Sequence, residues 1–289
     1  MIADSEQELL DILQHMFPDS KTNKLRKMLT EGRVEVDGKI VHKAKQIISK
    51  GSQIIILNRQ KAEEKSETPA KKKKNPRIKI LYEDDDIIVV NKQAGLLSVA
   101  TDKMEPDTLH SRVLEYVQDS DKKGWAYIVH RLDRETSGVM IFAKDKHSKD
   151  YLQEQFADRS VHRVYHALVE GKPEQKSGTI REWLLEDKFL KVKAVNKKHP
   201  NAKEAITHWS IEDYDGTASL IALTIETGRR HQIRVGLANL GCPVVGDNQH
   251  GAEGNPIGRI ALHATSLELL HPASDDPLRF EAPIPFGPE

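Results

Sequence analysis

The stretch His130-Arg131-Leu132-Asp133-Arg134-Glu135-Thr136-Ser137-Gly138 runs straight into Val139-Met140-Ile141-Phe142-Ala143. The second half is a short apolar run of the kind that forms a buried strand. The first half crowds two arginines, two acids, Thr, Ser and Gly into one segment, which makes a costly core but a good active-site loop. Working outward, a second polar cluster, Thr227-Gly228-Arg229-Arg230-His231-Gln232-Ile233-Arg234, follows a strand-like run. It enters a helix whose apolar residues Ile233, Leu237 and Leu240 lie three or four apart, closed by Gly241 and Pro243. Arg230 and Arg234 are one helical turn apart and can face the same way. Between the two clusters, Arg163 to Val169 alternates so that Arg163, Tyr165 and Ala167 share one face and Val164, His166 and Leu168 the other.

Further strands are predicted at Ile78 to Tyr82, Ile87 to Val90, Val139 to Ala143, Ala205 to Ile211, Leu220 to Ile225 and Leu267 to Leu270. Helices are predicted at Thr108 to Gln118 with Thr108 as cap, Lys146 to Ala157, and His231 to Leu240. Strands without regular helix alternation imply an α+β domain built on a mixed, largely antiparallel sheet with flanking helices.

The front of the chain reads differently. Leu9, Leu10, Ile12, Leu13, Met16 and Phe17 recur at helical spacing up to Pro18, and a second helix carries Leu25, Met28 and Leu29 up to Gly32. Val34 and Val36, then Asp37-Gly38, then Ile40 and Val41 predict a tight hairpin, and Ile54 to Leu57 one more strand. Residues 1–60 thus form a small α/β module, and 78–289 form the larger domain. Between them, 61–77 holds Lys, Glu, Ser, Thr and Pro without a large apolar residue, the composition of a flexible charged linker.

The 289 residues carry 44 Lys plus Arg and 44 Asp plus Glu, but the balance is uneven along the chain. Residues 21–79 hold 18 bases against 6 acids, so a basic module precedes a mildly acidic one. Such a block suits phosphate binding, because each Lys or Arg that displaces condensed counterions gains entropy; a solubilising surface is the alternative. No apolar run approaches the ~18 to 20 residues of a membrane-spanning helix, and the acidic N-terminus lacks the positive region of a secretory signal. Cys242 is the only cysteine, which precludes an intrachain disulfide. A cytoplasmic monomer is the expectation. His162 and His166 are four apart, but on a predicted strand without nearby Cys that spacing does not make a zinc pair, so no metal or other cofactor is expected.

The loop His130 to Gly138, the Tyr165 strand, the segment Thr227 to Arg234 and the ending Gly241-Cys242-Pro243-Val244-Val245-Gly246-Asp247 together resemble the RluA-type pseudouridine synthases, in family order, over about 78–285. The front module, with Leu25 to Leu29, Gly32, Val34, Val36-Asp37-Gly38 and Lys43-Ala44, resembles the S4-type RNA-binding fold often joined to such enzymes. Gln93 stands where the family usually has proline, Gly236 where it has histidine, and His250 where it has tyrosine.

The resemblance implies an isomerase that breaks the C1′–N1 bond of a uridine, turns the base and joins C5 to C1′, without metal or other cofactor. It makes Asp133 the catalytic aspartate, either adding to the sugar or taking a C2′ proton. It also implies that Tyr165 lies against the flipped uracil and that Arg234 is an ion-pair partner of Asp133. Arg131 would contact phosphate or fill the space of the displaced base, and Arg229, Arg230 and His231 would be phosphate contacts. In the front module Lys24, Arg26, Lys27 and Arg33 would supply salt-sensitive affinity. Structured RNA is the expected partner, ribosomal RNA first and transfer RNA second. A non-enzymatic RNA-binding or ribosome-assembly protein is the alternative, and a glycoside hydrolase lacks a second carboxylate with a supporting motif.

Overall fold

The computed structural model describes residues 1–18, 20, 22–57, 78–187 and 191–287. The expected linker at 61–77 lies outside the described residues, which fall into two compact units.

The first unit holds the front of the chain together with Glu83–Ile87 and Leu270–Pro277. Helix α1 (Leu9–Met16) buries Leu9, Ile12 and Leu13 and stops at Phe17, as the following Pro18 dictates. Helix α2 (Thr22–Thr30) buries Leu25, Met28 and Leu29, and Gly32 at φ +63 turns the chain out of it. Strands β2 (Val34–Val36) and β3 (Lys39–Ile40) form the expected hairpin around Asp37-Gly38, both at positive φ, and β5 (Ile54–Ile56) pairs with β2 on its other side. A short pair, β1 (Gln7–Glu8) with β4 (Ile47–Ile48), completes the module.

The second unit is an α+β domain on one 11-stranded, largely antiparallel sheet. Its strands are β6 (Lys79–Glu83), β7 (Ile87–Lys92), β8 (Tyr127–Ile128), β9 (Ser137–Ala143), β10 (His162–Glu170) and β11 (Ser177–Glu186). They continue with β12 (Val192–Val195), β13 (Lys203–Tyr214), β14 (Ala218–Ile225), β15 (Leu262–Leu270) and β16 (Pro277–Glu281). The main order is β12-β11-β13-β14-β10-β15-β9-β7-β6, with β16 beside β15 and β8 beside β9. Among the described residues, the α-helices α3 (Leu109–Ser120), α4 (Lys146–Ala157) and α5 (Gln232–Asn239) flank it. Thr108 caps α3 in a reciprocal box with Ser111, and Asp145 caps α4. No helix among the described residues is long and apolar enough to cross a membrane.

Strand β9 is buried throughout and runs parallel to β15 where Ser137 and Gly138 face His263 and Ala264. The two backbones come so close that a Cβ on Gly138, at φ +117, would lie 2.1 Å from the Ala264 carbonyl oxygen. Only glycine fits there. The polar loop 130–136 is therefore delivered at an interior strand of the sheet, between β15 and β7.

Candidate active site

Seven of the residues singled out from the sequence line one cleft of about 1540 Å³: Arg131, Asp133, Tyr165, Arg229, Arg230, His231 and Arg234. Asp133 is half-buried, and the backbone on both sides of it is held. Ser98 Oγ donates to the Leu132 carbonyl at 2.6 Å and accepts from the Leu132 N–H at 3.1 Å. Lys92 Nζ donates to the carbonyls of Arg134, Leu96 and Gln93 at 2.8, 2.7 and 3.1 Å. Three acceptors match the three donors of an ammonium group. Burial pushes the Lys92 ammonium down to about 7, against the opposing pull of Glu135 and Asp133. The loop is also held at its start, where His130 Nε2 accepts from the Ile141 N–H and the ring stacks on Phe156 at 4.8 Å. Neither Lys92 nor Ser98 is legible as a site residue in the sequence. The one signal is a lysine closing a strand whose first four residues are apolar.

Tyr165 points inward from β10 and is 8% exposed. Burial raises its phenol; the charge of Asp133 adds to the rise and that of Arg163 opposes it. The phenol therefore stays protonated at neutral pH.

Arg234 departs from expectation. Its counterion is Asp247: Nε donates to Oδ2 at 2.6 Å and Nη2 to Oδ1 at 2.7 Å, with the pair almost fully buried. No Asp133–Arg234 pair within 4 Å occurs among the described residues. The chain returns after α5 through Gly241 at φ +82, which brings a carboxylate within reach of a bidentate fork; His250 Nδ1 sits 2.9 Å from the same carboxylate. Arg234 still lines the cleft, but its charge is compensated beneath it.

The other cations divide by exposure. Arg131 and Arg229 are exposed in the cleft, Arg229 donating to the Glu204 carbonyl, and Arg230 pairs with Glu186 at 2.8 Å. His231, expected as a phosphate contact, is 8% exposed, and burial pushes its imidazole down to about 4, so it is neutral at pH 7. It begins α5 in the left-handed region at φ 52, a strained conformation for a residue that is not glycine.

In the first unit Lys24 is exposed. Arg26 lies 3.9 Å from Asp86, and Lys27 Nζ reaches Asp276 at 2.6 Å. Arg33 Nε donates to the Leu57 carbonyl, and its Nη1 lies 3.5 Å from Glu31. Three of the four expected phosphate contacts thus have protein partners. His162 is exposed, whereas His166 bonds Thr265 at 2.6 Å and Glu212 at 3.1 Å, so the two do not converge. Asp84, Asp86 and His271 cluster in the first unit, but Asp84 already accepts from His271 at 2.8 Å and from the N–H groups of Asp86 and Ile87.

A cleft lined by a half-buried carboxylate, a buried protonated phenol and exposed arginines suits a polyanion whose base is drawn inward. The chain belongs to the RNA pseudouridylate synthase family, whose model matches residues 86–239, and it is an RNA pseudouridine synthase, an isomerase. It is 34% identical over 294 residues to ribosomal large subunit pseudouridine synthase D of Escherichia coli, covering 96% of this chain and 87% of that protein. It is 33% identical over 241 residues to the RNA pseudouridine synthase YhcT of Bacillus subtilis, covering 83% of this chain and 78% of that one. Among solved structures it resembles human RNA pseudouridylate synthase domain containing 4, with a TM-score of 0.60 and 25% identity over 72% of this chain and 88% of that one.

Proposed function

We propose that this enzyme isomerises uridines of ribosomal RNA, with Asp133 as the catalytic carboxylate, Tyr165 against the extruded uracil, and Arg131 and Arg229 on the flanking phosphates. The observation that carries this reading is the clamped Asp133, held through Leu132 and Arg134 and lining the same cleft as Tyr165 of β10. A carboxylate fixed through its neighbours' backbones can approach C1′ or the C2′ proton without first being ordered. Ribosomal RNA is favoured because a relative matching nearly the whole chain is named for the large ribosomal subunit.

In this reading residues 1–60 are an S4-like RNA-binding domain, 61–77 a linker and 78–289 the catalytic domain, acting as a monomer. Of the four cations Lys24, Arg26, Lys27 and Arg33, Lys24, exposed on α2, is the one most available to phosphate. Lys24→Ala should weaken RNA binding and reduce the slope of log K against log salt by about 0.9 while leaving turnover of bound RNA intact. An unchanged slope removes Lys24 from the interface.

The target is tested by incubating the purified protein with unmodified ribosomal and transfer RNA and mapping pseudouridine by carbodiimide-dependent reverse-transcription stops. New stops in ribosomal RNA are expected. Stops confined to transfer RNA would reassign the substrate, and RNA binding without stops on any RNA, precursors included, would favour a non-enzymatic assembly protein.

A further inference from the structure

Arg163 is a cation of the cleft to which the reaction as described gives no task. It sits on the inward face of β10, two residues from Tyr165, and is 9% exposed. Its guanidinium lies against the Phe156 ring, with Cζ 5.5 Å from the centroid. Its hydrogen bonding is thin: Nη2 reaches the Glu226 carbonyl only at 3.5 Å, and Nε is buried with no partner. Arg234 and Arg259, by contrast, are taken up by Asp247 and Ser137, and Arg230, whose Nε is also without a partner, has its charge met by Glu186 at 2.8 Å. A buried guanidinium with unmet donors is costly unless a ligand meets them. Gly228 leaves it room, since a Cβ there would lie 3.0 Å from Nη1.

The reaction supplies such a ligand. Asp133 begins with one negative charge and the uridine with none. If the carboxylate adds to C1′, a C1′–O bond forms as C1′–N1 breaks and the bonding pair goes to N1. If it takes the C2′ proton instead, the C2′–H pair becomes the C1′–C2′ double bond and the C1′–N1 pair again goes to N1. On either branch the carboxyl group ends neutral and the uracil carries the charge, spread over N1, O2 and O4. When C5 bonds to C1′, Asp133 regains its charge by leaving C1′ or returning the proton; N1 then gains a proton and C5 loses its own.

We propose that Arg163 is a further catalytic residue, which donates to a carbonyl oxygen of the departing uracil and holds its negative charge while the base turns. This rests on the pseudouridine synthase reading and goes beyond the roles of Asp133 and Tyr165. A buried group on Tyr165's strand face meets the extruded base, whereas a flanking phosphate stays with the backbone, near exposed Arg131 and Arg229. The charge of Arg163 already reaches its neighbours: burial raises the Tyr165 phenol and Arg163 opposes that rise, while burial pushes His130 down to about 3 with Arg163 adding to the fall.

The test uses the full chain and a ribosomal RNA segment in which the wild-type enzyme makes pseudouridine, synthesised with uridine or 5-fluorouridine at the target. Fluorine at C5 stabilises the uracil anion, so cleavage of that substrate depends less on Arg163. Arg163→Met should slow single-turnover cleavage of the C1′–N1 bond by about 10² to 10³-fold on uridine, the scale for removal of one donor to a developing anion. RNA affinity should stay within about twofold and the loss should shrink at least about tenfold on 5-fluorouridine, each distinct from a phosphate contact. Arg163→Lys and Gly228→Ala, which keep a charge but displace it, should show intermediate losses and decide the matter if Arg163→Met does not fold. Equal losses on both substrates with weaker binding and a shallower salt slope would make Arg163 a phosphate contact, and wild-type rates in the variants would overturn the proposal. Failure to find any ribosomal RNA segment in which the wild-type enzyme makes pseudouridine would instead refute the proposed substrate.

Discussion

Asp133→Asn is expected to remove pseudouridine formation, by about 10⁴-fold or more in single turnover, without weakening RNA binding. Asparagine is nearly isosteric but neither adds to C1′ nor accepts a C2′ proton at useful rates, so both branches of the chemistry close together. Folding should survive, because the loop is held through the backbone of Leu132 and Arg134 by Ser98 and Lys92 and not through the Asp133 carboxylate. Affinity should be equal or slightly tighter, since the variant lacks a negative charge in a cleft that takes a polyanion. The reaction itself provides the assay: C5 of the target loses its hydrogen, so tritium placed there is released into water only as product forms. Tritium release by Asp133→Asn within tenfold of the wild-type rate would mean that another group performs this step.

The parts of the fold that were legible are those governed by local rules. Pro18 and Gly32 end their helices, Thr108 caps α3, and Asp37-Gly38 turns the hairpin, because each acts through its own backbone geometry or a partner three residues away. Strand β11 (Ser177–Glu186) has no counterpart among the predicted strands. Its outward residues Thr179, Arg181 and Ser177 are exposed and its pairing with β13 lies some twenty to thirty residues away, so no local run announces it. Strand β15, predicted over Leu267 to Leu270, begins at Leu262. Its first half holds His263 and Thr265, polar residues that the sheet accommodates by pairing His263 with Ser137 and Thr265 with His166. The site shows the same division. The loop and helix motifs mark the residues that line the cleft, since these cluster along the chain. The choice of Asp247 over Asp133 as counterion for Arg234, and the burial of Lys92 among three carbonyls, depend on how distant segments meet.

Asp247→Ala is expected to destabilise the fold by about 3 to 5 kcal/mol, because it strands the Arg234 guanidinium, 4% exposed, without a counterion. Burial alone would raise the Asp247 carboxyl; hydrogen bonds from Arg234 and His250 hold it well below the ordinary carboxylate range. A folded value below the unfolded one gives stability that is fully present above about pH 4 and fades as the pH falls through the folded value. Urea unfolding should therefore separate wild type and variant equally at pH 6 and pH 8, with the gap narrowing below about pH 4. A difference under about 1 kcal/mol at pH 7 would show the pair to be incidental. The double variant Arg234→Met with Asp247→Leu then separates the structural role of Arg234 from its place in the cleft. Replacing both charges by apolar groups of similar volume should restore much of the stability, less what His250 loses with its partner. If Arg234 also orients Asp133 or the RNA during catalysis, the restored fold will still turn over poorly. Full activity in a stable double variant would confine Arg234 to holding α5 against the segment that carries Asp247.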